Sequence, residues 1–160
     1  MSIWGALAGG FVGTLVLTTA LSAASEFGLT RMNLPFLLGT IVSSDRRRAK
    51  VLGYAMHFAM GLIFAMVYLA VFAAIGQSGW ALGALFGLLH GIFAGTALVT
   101  VLLPSIHPRM GTPFSSAVER PLLEAPGFMM LNYGRRTPLA TIAAHIAYGT
   151  IVGGFTSLAS

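Results

Sequence analysis

All nine lysine and arginine residues of this chain fall in two short windows. The first holds Arg31, Arg46, Arg47, Arg48 and Lys50, and the second holds Arg109, Arg120, Arg135 and Arg136. The four acids, Glu26, Asp45, Glu119 and Glu124, lie in or beside the same windows. A soluble domain spreads its charges over every element. Two polar segments that punctuate four long apolar stretches describe a polytopic membrane protein instead. Only 8% of the 160 residues are charged, against about 25% in ordinary soluble domains.

The apolar stretches run approximately over Ile3–Ala24, Val51–Ile75, Trp80–Leu103 and Pro138–Leu158. Each suffices to cross a hydrocarbon core about 30 Å thick, which takes roughly 20 helical residues. The expected fold is all-α: a single transmembrane domain over 1–160, with four transmembrane helices and ordered polar-side loops. The first stretch lacks a basic segment before it, so it is expected to be a retained helix rather than a signal peptide. Only Gly76-Gln77-Ser78-Gly79 separates the second stretch from the third, which makes them a tight hairpin. Trp4 and Trp80 fall at outer ends of spans, where amphipathic rings prefer the interface.

With four spans, both basic windows lie on one side. The positive-inside bias makes that side cytoplasmic and puts both termini outside, in a cytoplasmic (inner) membrane. The net charge of +5 then finds its counterions in anionic lipid headgroups, and no nucleic-acid partner is expected. Met32–Val42 and Pro121–Leu131 are too short to span and too apolar for water, so short interfacial or re-entrant segments are expected there.

The two halves match. Gly5-Ala6-Leu7-Ala8-Gly9 answers Gly87-Leu88-Leu89-His90-Gly91, and Pro35-Phe36-Leu37 answers Pro121-Leu122-Leu123. Ala55-Met56-His57-Phe58-Ala59-Met60-Gly61 answers Ala143-Ala144-His145-Ile146-Ala147-Tyr148-Gly149, sharing A-x-H-x-A-x-G. A slowly drifting offset is what duplication leaves, so two parallel repeats are expected, about 1–75 and 80–160. Gly5, Gly9 and Gly13 form one small-residue stripe; Gly83, Gly87, Gly91 and Gly95 form another. Such stripes let helix backbones approach closely. They predict a crossing of the first and third helices, or alternatively a homo-oligomer through one stripe.

No acid lies inside a span, but His57, His90 and His145 do. Ionisable residues in a bilayer are disfavoured and usually face the bundle interior. His57 and His145 fall at the same depth, about 10 Å from the cytoplasmic end at 1.5 Å per residue. Facing one another, they could ligate a b-type haem, with Gly61 and Gly149 leaving room for the macrocycle. They could also bind a transition metal or relay protons. The plainest alternative is neutral histidines making interhelical hydrogen bonds, worth about 0.6 kcal/mol each in membrane bundles.

The basic loops carry a second constellation. Arg135 and Arg136, like Arg46–Arg48, precede a span and serve topology and lipid anchoring. The sharper reading is a phosphate or carboxylate pocket between the halves, in which Arg31, Arg109 and Arg120 join these two clusters. Glu119 and Glu124 could pair with arginines and fix their loop. No cysteine, catalytic triad order, phosphate loop or zinc-protease motif is present.

Leu34-Pro35-Phe36-Leu37-Leu38-Gly39-Thr40, His107-Pro108-Arg109-Met110 and Tyr133-Gly134-Arg135-Arg136-Thr137-Pro138 resemble segments of small uncharacterised bacterial four-helix integral membrane proteins, a family of unknown function. The resemblance implies a bacterial cytoplasmic membrane and no mechanism. The leading expectation is therefore a non-enzymatic protein that transports or binds a ligand or ion at intramembrane histidines. A haem b electron carrier using His57 and His145 comes next, then an accessory subunit of a larger membrane complex, and last a lipid-acting enzyme.

Overall fold

The computed structural model describes residues 1–111 and 123–158. Among these the chain is all-helical, and its one β-type contact is an isolated bridge between Met110 and Leu123. Four helices are long and apolar enough to cross a membrane: α1 (Ile3–Glu26), α3 (Arg46–Ile75), α4 (Trp80–Ile106) and α5 (Thr137–Leu158). The short helix α2 (Leu34–Val42) lies between α1 and α3, and a 3-10 segment (Phe128–Tyr133) precedes α5.

Local chemistry accounts for the helix ends. Ser2 caps α1 by accepting from Trp4 N–H, Asn33 caps α2 by accepting from Phe36 N–H, and Asp45 caps α3 by accepting from Arg48 N–H. The Asp45 cap starts α3 five residues ahead of the apolar stretch that opens at Val51, so the arginine triplet is helical. Gly76 ends α3 in the left-handed conformation at φ 74°, which a glycine adopts at no steric cost.

The helices form a ring in the order α1, α3, α4, α5. The glycines decide three of its seams. Gly10 and Gly61 seat α1 against α3, at Ala65 and Thr14. Gly9 and Gly13 of α1 meet Val152, Phe155 and Tyr148 of α5. Gly83, Gly87 and Gly91 of α4 meet α5 at Gly149, Gly153 and His145. The expected crossing of the first and third spans is therefore corrected: Gly9 and Gly13 of one stripe and Gly83, Gly87 and Gly91 of the other pack on the fourth, while Gly95 meets Met129 and Met130.

The fourth seam, α3 against α4, holds bulk instead of glycine. Tyr68 and Phe72 meet Phe86 edge to face, at ring centroid distances of 5.8 and 5.5 Å. These rings sit near the hairpin and hold the two helices apart. Further from the hairpin, α4 winds as a π-helix over Ala94–Leu102, ahead of Pro104. Proline lacks the N–H that the regular ladder needs, and π turns, rare in general, are frequent at functional sites.

The basic end is closed by α2 and the 3-10 segment. Gly39 of α2 lies on the Ala49 backbone, and Gly53 of α3 lies on the Pro35 carbonyl, so α2 docks backbone to backbone and buries Pro35 and Leu37–Thr40. Met129 and Met130 take left-handed backbone angles, φ 51° and 62°. For a residue with a Cβ this conformation costs of order 1–3 kcal/mol and persists only when its surroundings enforce it. Met130 is fully buried.

Candidate functional site

The wide α3–α4 seam, the π stretch, α2 and Met130 enclose an apolar cavity of about 200 Å³. All three intramembrane histidines line it. Its other walls are mostly Leu, Ile, Phe and Met side chains, with Thr14, Thr141 and Tyr148 adding hydroxyls. Leu102 and Ile106 belong to the wall yet are 48% and 56% exposed, so the cavity reaches the outer apolar surface of the bundle.

The hydrogen bonds assign the imidazole protons. His145 Nδ1 lies 2.8 Å from the Thr141 carbonyl. A carbonyl only accepts, so Nδ1 carries the proton and a neutral ring keeps its lone pair on Nε2. Thr18 Oγ1 donates to the Thr14 carbonyl at 2.7 Å. Its contact of 3.1 Å with His57 Nδ1 therefore has the ring as donor, and His57 too keeps its lone pair on Nε2. Neither Nε2 has a hydrogen-bond partner among the described residues, and neither is a buried unsatisfied atom, so both open into free space. Tyr148 donates to the Gly61 carbonyl and ties α5 to α3 beside them.

His90 completes the group from α4. Its ring packs on Phe64, two turns beyond His57 along α3, and its Nδ1 lies 3.3 Å from the Tyr68 hydroxyl. The ring packed against His145 is that of His90, with centroids 4.7 Å apart, so the closest imidazole pair comes from α4 and α5.

The space expected for a haem is filled. A side chain at Gly61 would strike Thr14, and one at Gly149 would strike the backbone of Gly83 and Gly87. Both glycines serve helix contact and leave no slot for a macrocycle, so the residues present do not fit haem b. Among the described residues, no three His, Asp or Glu side chains form a group that could hold a metal ion by themselves.

A second, more polar crevice of about 200 Å³ opens between α1, α2 and α3 at the basic end. Ser22, Ser25, Glu26, Asn33, Lys50 and Tyr54 line it, and so do Thr18 and His57. His57 thus belongs to the walls of both spaces.

Among the described residues, no arginine lines either space. Arg109 donates to the Thr40 and Ile41 carbonyls at the α2 C-terminus, a favourable place for a cation. Arg31 pairs with Glu124 at 3.1 Å and donates to the Asn132 carbonyl. Arg135 and Arg136 are exposed, while Arg120 and Glu119 lie outside the described residues, as do Pro121 and Leu122. His107 fixes the turn after α4: its Nε2–H donates to the Leu37 carbonyl at 3.0 Å, and its Nδ1 accepts from Arg109 N–H at 3.1 Å. Burial holds the His107 pKa below its ordinary value, against the opposing Leu37 bond. Burial, reinforced by Glu124, pushes the Tyr133 hydroxyl up to about 12.

Three features went unread in the sequence. The cavity-lining methionines pass as ordinary core, the polar crevice joins residues far apart in the chain, and the π stretch has only Pro104 to announce it. Comparison with protein-family models, curated proteins and solved structures finds no significant match.

Proposed function

We propose that this chain binds a small ligand or ion at its intramembrane histidines, as a binding or transport protein of a bacterial cytoplasmic membrane. The observation that carries the reading is the position of His57. It stands between a polar crevice at the basic end and an apolar cavity within the bundle, with its Nδ1–H fixed by Thr18. A histidine kept only for helix contact needs neither space beside it. The charge partition puts the crevice on the cytoplasmic side, with both termini outside. His57 and His145 share the A-x-H-x-A-x-G pattern and both line the cavity, from α3 and α5, which supports a duplicated ancestry.

The test is a thermal-shift screen of the detergent-purified protein against small organic ligands and metal ions, repeated on His57→Ala and His145→Ala. The reading expects ligands that stabilise the wild type and lose that effect in both variants, while helicity and monodispersity are kept. Variants that respond like the wild type would overturn it. Such a result, with a membrane partner that copurifies, would point to an accessory subunit.

A further inference from the structure

The walls of the histidine cavity include four thioethers, from Met32, Met56, Met60 and Met130. We infer that the ligand of this cavity is a soft monovalent cation of the Cu(I) class, held by the Nε2 atoms of His57 and His145 with thioether sulfur completing the shell. The inference rests on the proposed binding role of the histidines. Three observations lead to it.

The first is the donor set. Thioether sulfur is a soft donor that suits Cu(I), and imidazole suits copper as well. Met130 is fully buried, lines the cavity and reaches it from a left-handed backbone conformation. The Thr141 hydroxyl lies 3.9 Å from its sulfur, and the Thr141 carbonyl holds His145. One residue thus positions both a nitrogen and a sulfur donor.

The second is charge. No acid among the described residues lines the cavity. Moving an ion into a low-dielectric interior costs energy in proportion to the square of its charge, and neutral ligands do not cancel that charge. A divalent ion therefore meets four times the penalty of a monovalent one here, which disfavours Zn(II) despite the imidazoles. The third is orientation. Histidine that ligates through one nitrogen almost always donates its other N–H to a fixed acceptor. His57 and His145 have that arrangement before any ion arrives. The polar crevice, with Glu26 and Lys50 among its walls, gives a route to His57 from the basic end.

The experiment titrates the whole purified protein with Cu(I) alone, anaerobically and against a colorimetric Cu(I) chelator, with Ag(I) and Zn(II) in parallel. The expected result is saturable Cu(I) and Ag(I) binding that Zn(II) does not displace, with both nitrogen and sulfur scatterers in the X-ray absorption spectrum. Thr18→Val removes the acceptor behind His57 and is expected to weaken Cu(I) binding by about 10–100-fold. Met130→Leu conserves volume and is expected to remove a sulfur scatterer while the protein stays folded. The wild-type spectrum needs no variant and guards against one that fails to fold. Absence of Cu(I) binding, equal retention of Zn(II), or a shell without sulfur would overturn the inference. If other small ligands still depend on His57 and His145, only the cation class falls. If no ligand depends on them, the binding role falls with it.

Discussion

Thr18 and His57 meet at 3.1 Å, and because the Thr18 hydroxyl proton is already given to Thr14, the imidazole is the donor. A single side chain on α1 thereby decides which nitrogen of a histidine on α3 keeps its lone pair free.

His57→Gln and Thr18→Val separate structure from function. Interhelical hydrogen bonds in membrane bundles average about 0.6 kcal/mol and reach about 1.7, so Thr18→Val is expected to lower unfolding stability by about 1–2 kcal/mol. Ligand responses of the cavity should fall much further. Denaturant unfolding in detergent, set beside the ligand screen, checks both.

The α4–α5 seam is expected to be intolerant. Gly149→Ala would drive a methyl into the Gly83 and Gly87 backbone, at a cost of about 1–3 kcal/mol for overpacking. Ala59→Leu, on the exposed face of α3, should change stability by less than about 0.5 kcal/mol. Equal effects of the two substitutions would place the glycine contact elsewhere.

Acid should loosen the turn after α4. The His107 pKa is lowered in the folded protein, so the neutral ring is the stabilising form. Its contribution is fully present above the ordinary value of 6.5 and is lost as pH falls below it, because the unfolded chain then takes up a proton more readily. A protonated Nδ1 could no longer accept from Arg109 N–H. Thermal unfolding of wild type and His107→Gln should differ at pH 7.5, and the difference should shrink toward pH 5.

The basic-end loop offers a contrast between two contacts of Glu124. Its ion pair with Arg31 is exposed, with side chains 67% and 47% accessible, and such pairs contribute about 0–1 kcal/mol. Its carbonyl accepts from the buried Tyr133 hydroxyl at 2.6 Å. Tyr133→Phe is therefore expected to cost more stability than Glu124→Gln, by about 1 kcal/mol. Because the Tyr133 hydroxyl is pushed up to about 12, an ultraviolet pH titration should find it silent where exposed tyrosines ionise.

Much of the architecture was legible in the chain. The spans follow from where charge is missing, and the hairpin follows from Gly76 to Gly79. Helix ends were less legible, since a cap such as Asp45 extends α3 beyond its apolar stretch. The glycine stripes announced close contact but not its partner, because a face without side chains accepts any helix; only the folded ring shows that α5 receives both. His57 and His145 stood out as ionisable groups in apolar spans. The pairing of His145 with His90 did not, because it depends on how α4 is rotated where it passes into the π stretch. Met130 was hidden for another reason: it comes from a loop, and no periodicity marks a loop residue as a cavity wall.

Topology has a direct check, since the chain contains no cysteine. Single cysteines at Ser44 and Gln77 should label from opposite sides of sealed vesicles, with Ser44 accessible from the cytoplasmic side. Labelling of both from one side would contradict four spans.

The most direct measurement of the central claim is the nitrogen-15 spectrum of histidine-labelled protein in lipid nanodiscs, assigned with single His→Gln variants. Hydrogen bonds to carbonyl and hydroxyl oxygens fix the tautomers of three of the four histidines. The structure predicts neutral rings protonated at Nδ1 for His57 and His145, with His107 as the internal contrast, protonated at Nε2. Protonation of His57 and His145 at Nε2 would remove the lone pairs that face the cavity and contradict the account.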